Sequence, residues 1–137
     1  MPVLYLDLRF VMVLFRKVLL VDDDEDDREF MLQVLGDSFP EVACTIAVNG
    51  RDAFARLEEY KPDIIFLDLN MPLMDGRQFL RLIKQRADLA EIPVVILSTS
   101  SDVETITETK SLGAKEFITK PDKLAGWVGV VERIFQS

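Results

Sequence analysis

The chain alternates between short, continuous apolar runs and longer stretches in which apolar residues recur three and four positions apart. Residues 18–21, 64–67 and 92–97 are almost wholly apolar. A run of that length without polar alternation suits a strand covered on both faces. Residues 42–48 and 116–119 supply a second and a fifth strand. Helical spacing appears over residues 25–35, 52–60, 102–112 and 123–135, and in a further helix opened by Asp75 and Gly76. The predicted inward faces carry Phe30, Met31, Val34 and Leu35, then Ala53, Phe54 and Leu57, then Phe79, Leu82 and Ile83, and last Trp127, Val131 and Ile134. Gly36 and Gly113 are predicted helix stops, Asn49-Gly50 a turn and Pro62 a helix breaker. Acidic residues crowd the first turn of the first helix, where the positive end of the helix dipole favours them.

Five strand-helix alternations predict an α/β fold, a parallel sheet with helices on both faces. Residues 17–137 form this domain. Residues 1–16 stand apart as an N-terminal extension: Leu4, Leu6, Leu8, Phe10, Met12 and Leu14 are apolar at every second position. Period two predicts an extra strand with one apolar face. The stretch is too short to span a bilayer, carries Asp7 and Arg9 at its centre and lacks a basic leader flank. Two expectations stay open. Either the stripe packs on the sheet or on a second copy of the chain, or Met12 is the true start and residues 1–11 are a start-site artefact.

One hundred and thirty-seven residues suit a single domain, and the formal charge of −8 changes the picture of its partners. An acidic surface repels phosphate backbones and anionic lipid, so direct nucleic-acid or membrane binding is not expected. Protein partners and cations are. The single cysteine, Cys44, sits in an apolar run and reads as a small buried hydrophobe, which suits the cytoplasm. There is no histidine, which excludes Ser-His catalysis, His-ligated zinc and phosphohistidine chemistry within the chain.

Open parallel sheets place ligands at the carboxyl ends of their strands. The first strand ends in Asp22-Asp23, the third in Asp68, the fourth in Ser98-Thr99 and the fifth in Lys120-Pro121. Two carboxylates about 4 Å apart repel by roughly 4 kcal/mol at an effective dielectric near 20, so three require a cation. Oxygen ligands without nitrogen or sulfur select magnesium, calcium or manganese, and magnesium suits a sparse, open site. A phosphoryl group on Asp68 would have its charge neutralised by the metal and Lys120 and would accept a hydrogen bond from Ser98.

Residues 18–23 (VLLVDD), 62–76 (PDIIFLDLNMPLMDG), 93–99 (PVVILST) and 113–121 (GAKEFITKP) together resemble the receiver domains of two-component response regulators, over residues 17–135. The resemblance implies a doubly wound, flavodoxin-like sheet in order 2-1-3-4-5. It makes Asp68 the acceptor of a phosphoryl group from the phosphohistidine of a histidine kinase or histidine phosphotransfer protein. Asp22, Asp23, Asp68 and the Asn70 carbonyl would hold Mg2+. Ser98 would be the switch hydroxyl, Phe117 the switch aromatic, and Lys120 the partner of the acyl phosphate, before a cis peptide at Pro121.

The expected function is a single-domain response regulator, not an enzyme, that signals by phosphorylation-dependent binding to a downstream protein. A phosphorelay intermediate is the alternative. Three features depart from the family pattern. Thr99 stands where Ala or Gly is usual, the extension is foreign to it, and no output domain follows within these residues. A phosphatase of the haloacid dehalogenase type would need an acid two residues after its nucleophile, where Asn70 stands. A homodimer is expected through the extension, or through a face of the fourth helix, fifth strand and fifth helix carrying Phe117, Val128 and Val130.

Overall fold

Side chains alternate across a strand, and here both sides of the sheet are covered, so nearly every strand residue is apolar. The computed structural model describes residues 15–135. In chain order it holds β1 (Lys17–Val21), α1 (Glu25–Ser38), β2 (Ala43–Ala47), α2 (Gly50–Leu57), β3 (Ile64–Asp68), α3 (Gly76–Gln85), β4 (Val94–Ser98), α4 (Val103–Ser111), β5 (Glu116–Thr119) and α5 (Leu124–Phe135). The five strands form one sheet in the order β2-β1-β3-β4-β5, and every pairing is parallel. The expected fold is the observed one.

Each face has its own core. Val18, Leu20, Ile64, Phe66, Val95 and Leu97 point to the side covered by α1 and α5. Leu19, Val21, Ile65, Leu67, Val94 and Ile96 point to the side of α2 and α3. Phe66 and Phe39 meet Phe135 edge-on, with ring centres 6.0 and 5.6 Å apart. Cys44 packs half-buried against the first cluster, and burial pushes its thiol up to about 12, which keeps it inert.

Four helices start on side-chain caps. Asp24, Asn49, Asp75 and Asp102 accept from the backbone N–H three residues on, at 3.1, 2.8, 3.0 and 2.8 Å. Each such cap contributes about 1 kcal/mol. Gly113 ends α4 with φ at 104°, a conformation that only glycine adopts freely.

Several expectations need correction. Gly36 does not stop α1, which continues to Ser38; Gly36 faces open space, and the helix ends at Phe39, whose N–H makes the last helical bond to the Leu35 carbonyl and which precedes Pro40, a residue with no N–H to continue it. In α3, Leu80 rather than Leu82 joins Phe79 and Ile83 in the core. At about 100° per residue Leu82 lies at the margin of that arc, so it stays exposed. The peptide before Pro121 is not cis, since no described peptide bond is; trans remains the cheaper form even before proline. Phe117, Val128 and Val130 are all half-buried, Phe117 against the cluster on the α2–α3 side of the sheet and the two α5 valines against the cluster that α5 itself covers. The extension, apart from Phe15 and Arg16, lies outside the described residues. Phe15 packs edge-on against Phe135 at 6.0 Å.

Gly76 is where the fold bears most directly on the carboxyl ends of the strands. A Cβ there would meet the Asp68 carbonyl oxygen at 2.5 Å and Leu69 Cα at 2.6 Å. Both are backbone, so nothing can swing aside. Gly76→Ala is expected to cost about 1 to 3 kcal/mol of stability. A denaturant melt measures it.

Candidate functional site

The parallel register aligns the strand ends. Val21 pairs with Ala47 and Leu67, Asp68 with Leu97, and Ser98 with Thr119. Asp22 follows Val21, and Lys120 follows Thr119, where its N–H donates to the Ser98 carbonyl at 2.7 Å. The acidic run after β1 is then sorted by the start of α1. Asp22 is fully buried and its Oδ1 accepts from the Asp24 N–H at 2.9 Å. Asp23 is exposed, Asp24 caps the helix, and Asp27 turns back over the strand ends.

The structure brings together most of the residues expected at the site. Carboxylate oxygens of Asp22, Asp23 and Asp68 all lie within 4.8 Å of one another. The Lys120 ammonium, its side chain only 6% exposed, sits 3.0 Å from Asp22 Oδ2 and 3.4 Å from Asp68 Oδ2. The Asn70 N–H donates to Asp68 Oδ1 at 3.1 Å. These groups open into a cleft of about 560 Å³, whose lining includes Asp23, Asp68, Asn70, Thr99 and Lys120. Two expected residues stand back from it. Ser98 is buried beneath, its Oγ accepting from the Ser100 N–H at 3.1 Å. Phe117 instead lines a separate hollow of about 210 Å³ with Ile106, Thr109 and Ala114.

Two features escaped the sequence. Asp27 makes the shortest contact to Lys120, a hydrogen bond of 2.7 Å. Its signal was its place in the first turn of α1, directly after the acids that end β1. The second is a polar chain leaving Ser98. Ser100 Oγ donates to Asp102 at 2.6 Å, Thr105 Oγ1 donates to the same carboxylate at 2.9 Å, and Arg77 reaches Thr105 and Glu108. These contacts join β4 to α4 and α3, and no local pattern announces them.

Burial raises the Asp68 carboxyl to about 7, with the Asp22 charge adding to the rise and Lys120 opposing it. Burial also raises Asp22. Burial works against charge on Lys120, but the Asp27 hydrogen bond and the charges of Asp22 and Asp68 overcome it, so its pKa is raised. One ammonium does not neutralise four acids. Asp22 Oδ2 is buried without a hydrogen bond. That oxygen has only the Lys120 ammonium, which it shares with Asp27 and Asp68, and it faces two more carboxylates; three hard donors with so little positive charge fit a divalent cation such as Mg2+.

An open parallel sheet in this order, with an acid-and-lysine cleft at its carboxyl edge, defines the flavodoxin-like class of switch and ligand-binding folds. Residues 18–129 match the model of the response regulator receiver domain, and the chain belongs to that family, the receivers of two-component signalling. It is 36% identical over 124 residues to response regulator Rcp1 of Synechocystis sp., covering 85% of this chain and 84% of that protein. The crystal structure of the Mn2+-bound form of Rcp1 superimposes with a TM-score of 0.81 at 30% identity, over 89% of this chain and 96% of that one. A protein-glutamate methylesterase/protein-glutamine glutaminase of Archaeoglobus fulgidus is 41% identical over 108 residues, 77% of this chain. The chain spans only 30% of that relative's length.

The raised acids make stability depend on pH. Folded Asp68 binds its proton more tightly than an unfolded carboxyl of pKa 3.8, so protonation adds stability as pH falls through about 7 toward 4. The chain has no histidine, so little else titrates there. Denaturant midpoints of chelator-treated protein should rise between about pH 8 and pH 5. The rise should shrink in Asp68→Asn.

Proposed function

We propose that the chain is a single-domain response regulator whose Asp68 accepts a phosphoryl group from a phosphohistidine on another protein. The observation that carries this is the position of Asp68: at the mouth of the cleft, 4% exposed, with the Lys120 ammonium 3.4 Å away. An Asp68 carboxylate oxygen forms the new bond to phosphorus, the phosphorus–nitrogen bond of the donor breaks, and its electron pair stays on the imidazole. Asp22, Asp23, Asp68 and the Asn70 carbonyl would hold Mg2+, which supplies charge neutralisation for the phosphoryl oxygens. Lys120 offers the second positive charge. The Ser98 hydroxyl turns from its contact with Ser100 to donate to the phosphoryl group, and Thr99 at the cleft wall narrows the approach. Phe117 follows Ser98 as the aromatic member of the switch. The high sequence coverage of Rcp1 supports the single-domain form.

The output is binding to a downstream protein, or onward transfer in a phosphorelay. Self-catalysed transfer and self-dephosphorylation are the only chemistry. The charge of −8 disfavours nucleic acid and anionic membrane, and no described helix is long and apolar enough to cross a bilayer. A cytoplasmic protein, homodimeric through the extension of residues 1–16 or the α4–β5–α5 edge, fits these features. Light scattering tests the extension: the full chain should be dimeric, and a chain starting at Met12 monomeric.

The site itself is tested with acetyl phosphate and Mg2+, read by intact mass. The wild-type chain should gain one phosphoryl group, and chelation should prevent it. Asp68→Asn gaining stable phosphoryl mass at wild-type yield would overturn the assignment.

A further inference from the structure

The strongest hold on Lys120 comes from neither strand-end acid that the proposed chemistry uses. Its ammonium lies 2.7 Å from Asp27 Oδ2, against 3.0 Å from Asp22 and 3.4 Å from Asp68. Its hydrogen bond is made to Asp27. The lysine side chain is 6% exposed, so solvent is a weak competitor and the carboxylates divide the ammonium among themselves. Asp27 is fixed in turn, since its own N–H is bound by the Asp24 cap at 3.1 Å. It is not among the three carboxylates that converge as a cation site. Holding a metal therefore does not explain it.

We infer that Asp27 is a positioning residue that draws the Lys120 ammonium off Asp68 in the unphosphorylated protein and so restrains phosphoryl acceptance. The inference rests on the proposed function of the site. A phosphoryl group arriving on Asp68 brings new negative oxygens that draw this ammonium toward them, and the short bond to Asp27 opposes that shift. Asp27 also lines the cleft beside Asp68, and its charge opposes an anionic donor entering there. Both effects act in the same direction. Asp27 thereby sets how readily the site charges, separately from the residues that perform the transfer.

The test compares wild type, Asp27→Asn and Asp27→Glu in the full chain. Acetyl phosphate with Mg2+ is the donor: the Asp68 oxygen bonds to phosphorus, and acetate leaves with the electron pair of the broken bond. Asn keeps the shape and removes the charge, so its phosphorylation rate should rise about tenfold, the lower end of what a hydrogen bond between charged groups contributes. Glu restores the anion and should return the rate toward wild type. In the unphosphorylated proteins the Lys120 side-chain nitrogen resonance should move in Asp27→Asn and move back in Asp27→Glu. A merely structural role would shift melting temperature without this pattern. An Asn rate at or below wild type overturns the inference, as does an unmoved Lys120 resonance or an equal acceleration by both variants. If wild type takes up no phosphoryl group, the proposed function fails instead, and the resonance still decides whether Asp27 holds the lysine.

Discussion

Among the described residues lining the cleft, Lys120 carries the one positive charge, set against six carboxylates. The rest of the site follows from that imbalance. Buried carboxylates at a sheet edge repel one another by several kcal/mol at any reasonable dielectric, and one ammonium cannot satisfy them all. The result is a rim that is negative, partly protonatable at neutral pH and short of a cation. Any cation or phosphoryl group that enters changes the balance around Lys120 at once.

The scaffold can hold such a cluster because its strands are hydrophobic on both faces. The sheet is locked between two apolar cores, so the strand ends have little freedom to spread apart when their charges repel. Caps at Asp24 and Asp102 start α1 and α4 within a few residues of β1 and β4, and the Asp75 cap starts α3 after a longer connection from β3. These pinned connections keep Asp22, Asp68 and Ser98 in place. Gly76 tightens this further by letting the start of α3 lie directly on the Asp68 backbone. Leu73, 72% exposed with φ at 69°, takes up strain in the same connection.

Ser98 is tied outward as well as inward. Its hydroxyl holds the Ser100 N–H, Ser100 holds Asp102, and Asp102 caps α4, whose Thr105 and Glu108 meet Arg77 of α3. A rotation of the Ser98 hydroxyl therefore disturbs a connected polar network rather than a single bond.

Much of this protein was legible in its sequence, because period and punctuation are local. Continuous apolar runs such as residues 64–67 mark strands buried on both faces, and the alternation with helices fixes a parallel sheet. Asp22, Asp23, Asp68 and Lys120 could be named because each directly follows or ends a strand, and parallel strands finish on one edge. Other outcomes depended on distances between segments far apart in the chain. The pairing of Lys120 with Asp27 spans 93 positions and depends on how α1 leaves β1. Phe117 and the α5 valines separate onto two cores because Phe117 points to one face of the sheet while α5 covers the other. Gly36 stays inside α1 because the helix ends at Phe39, which Pro40 holds out of the helical region and whose ring is buried in the core. Composition and periodicity specify which segments form and which way they run. Only their packing decides which charges touch.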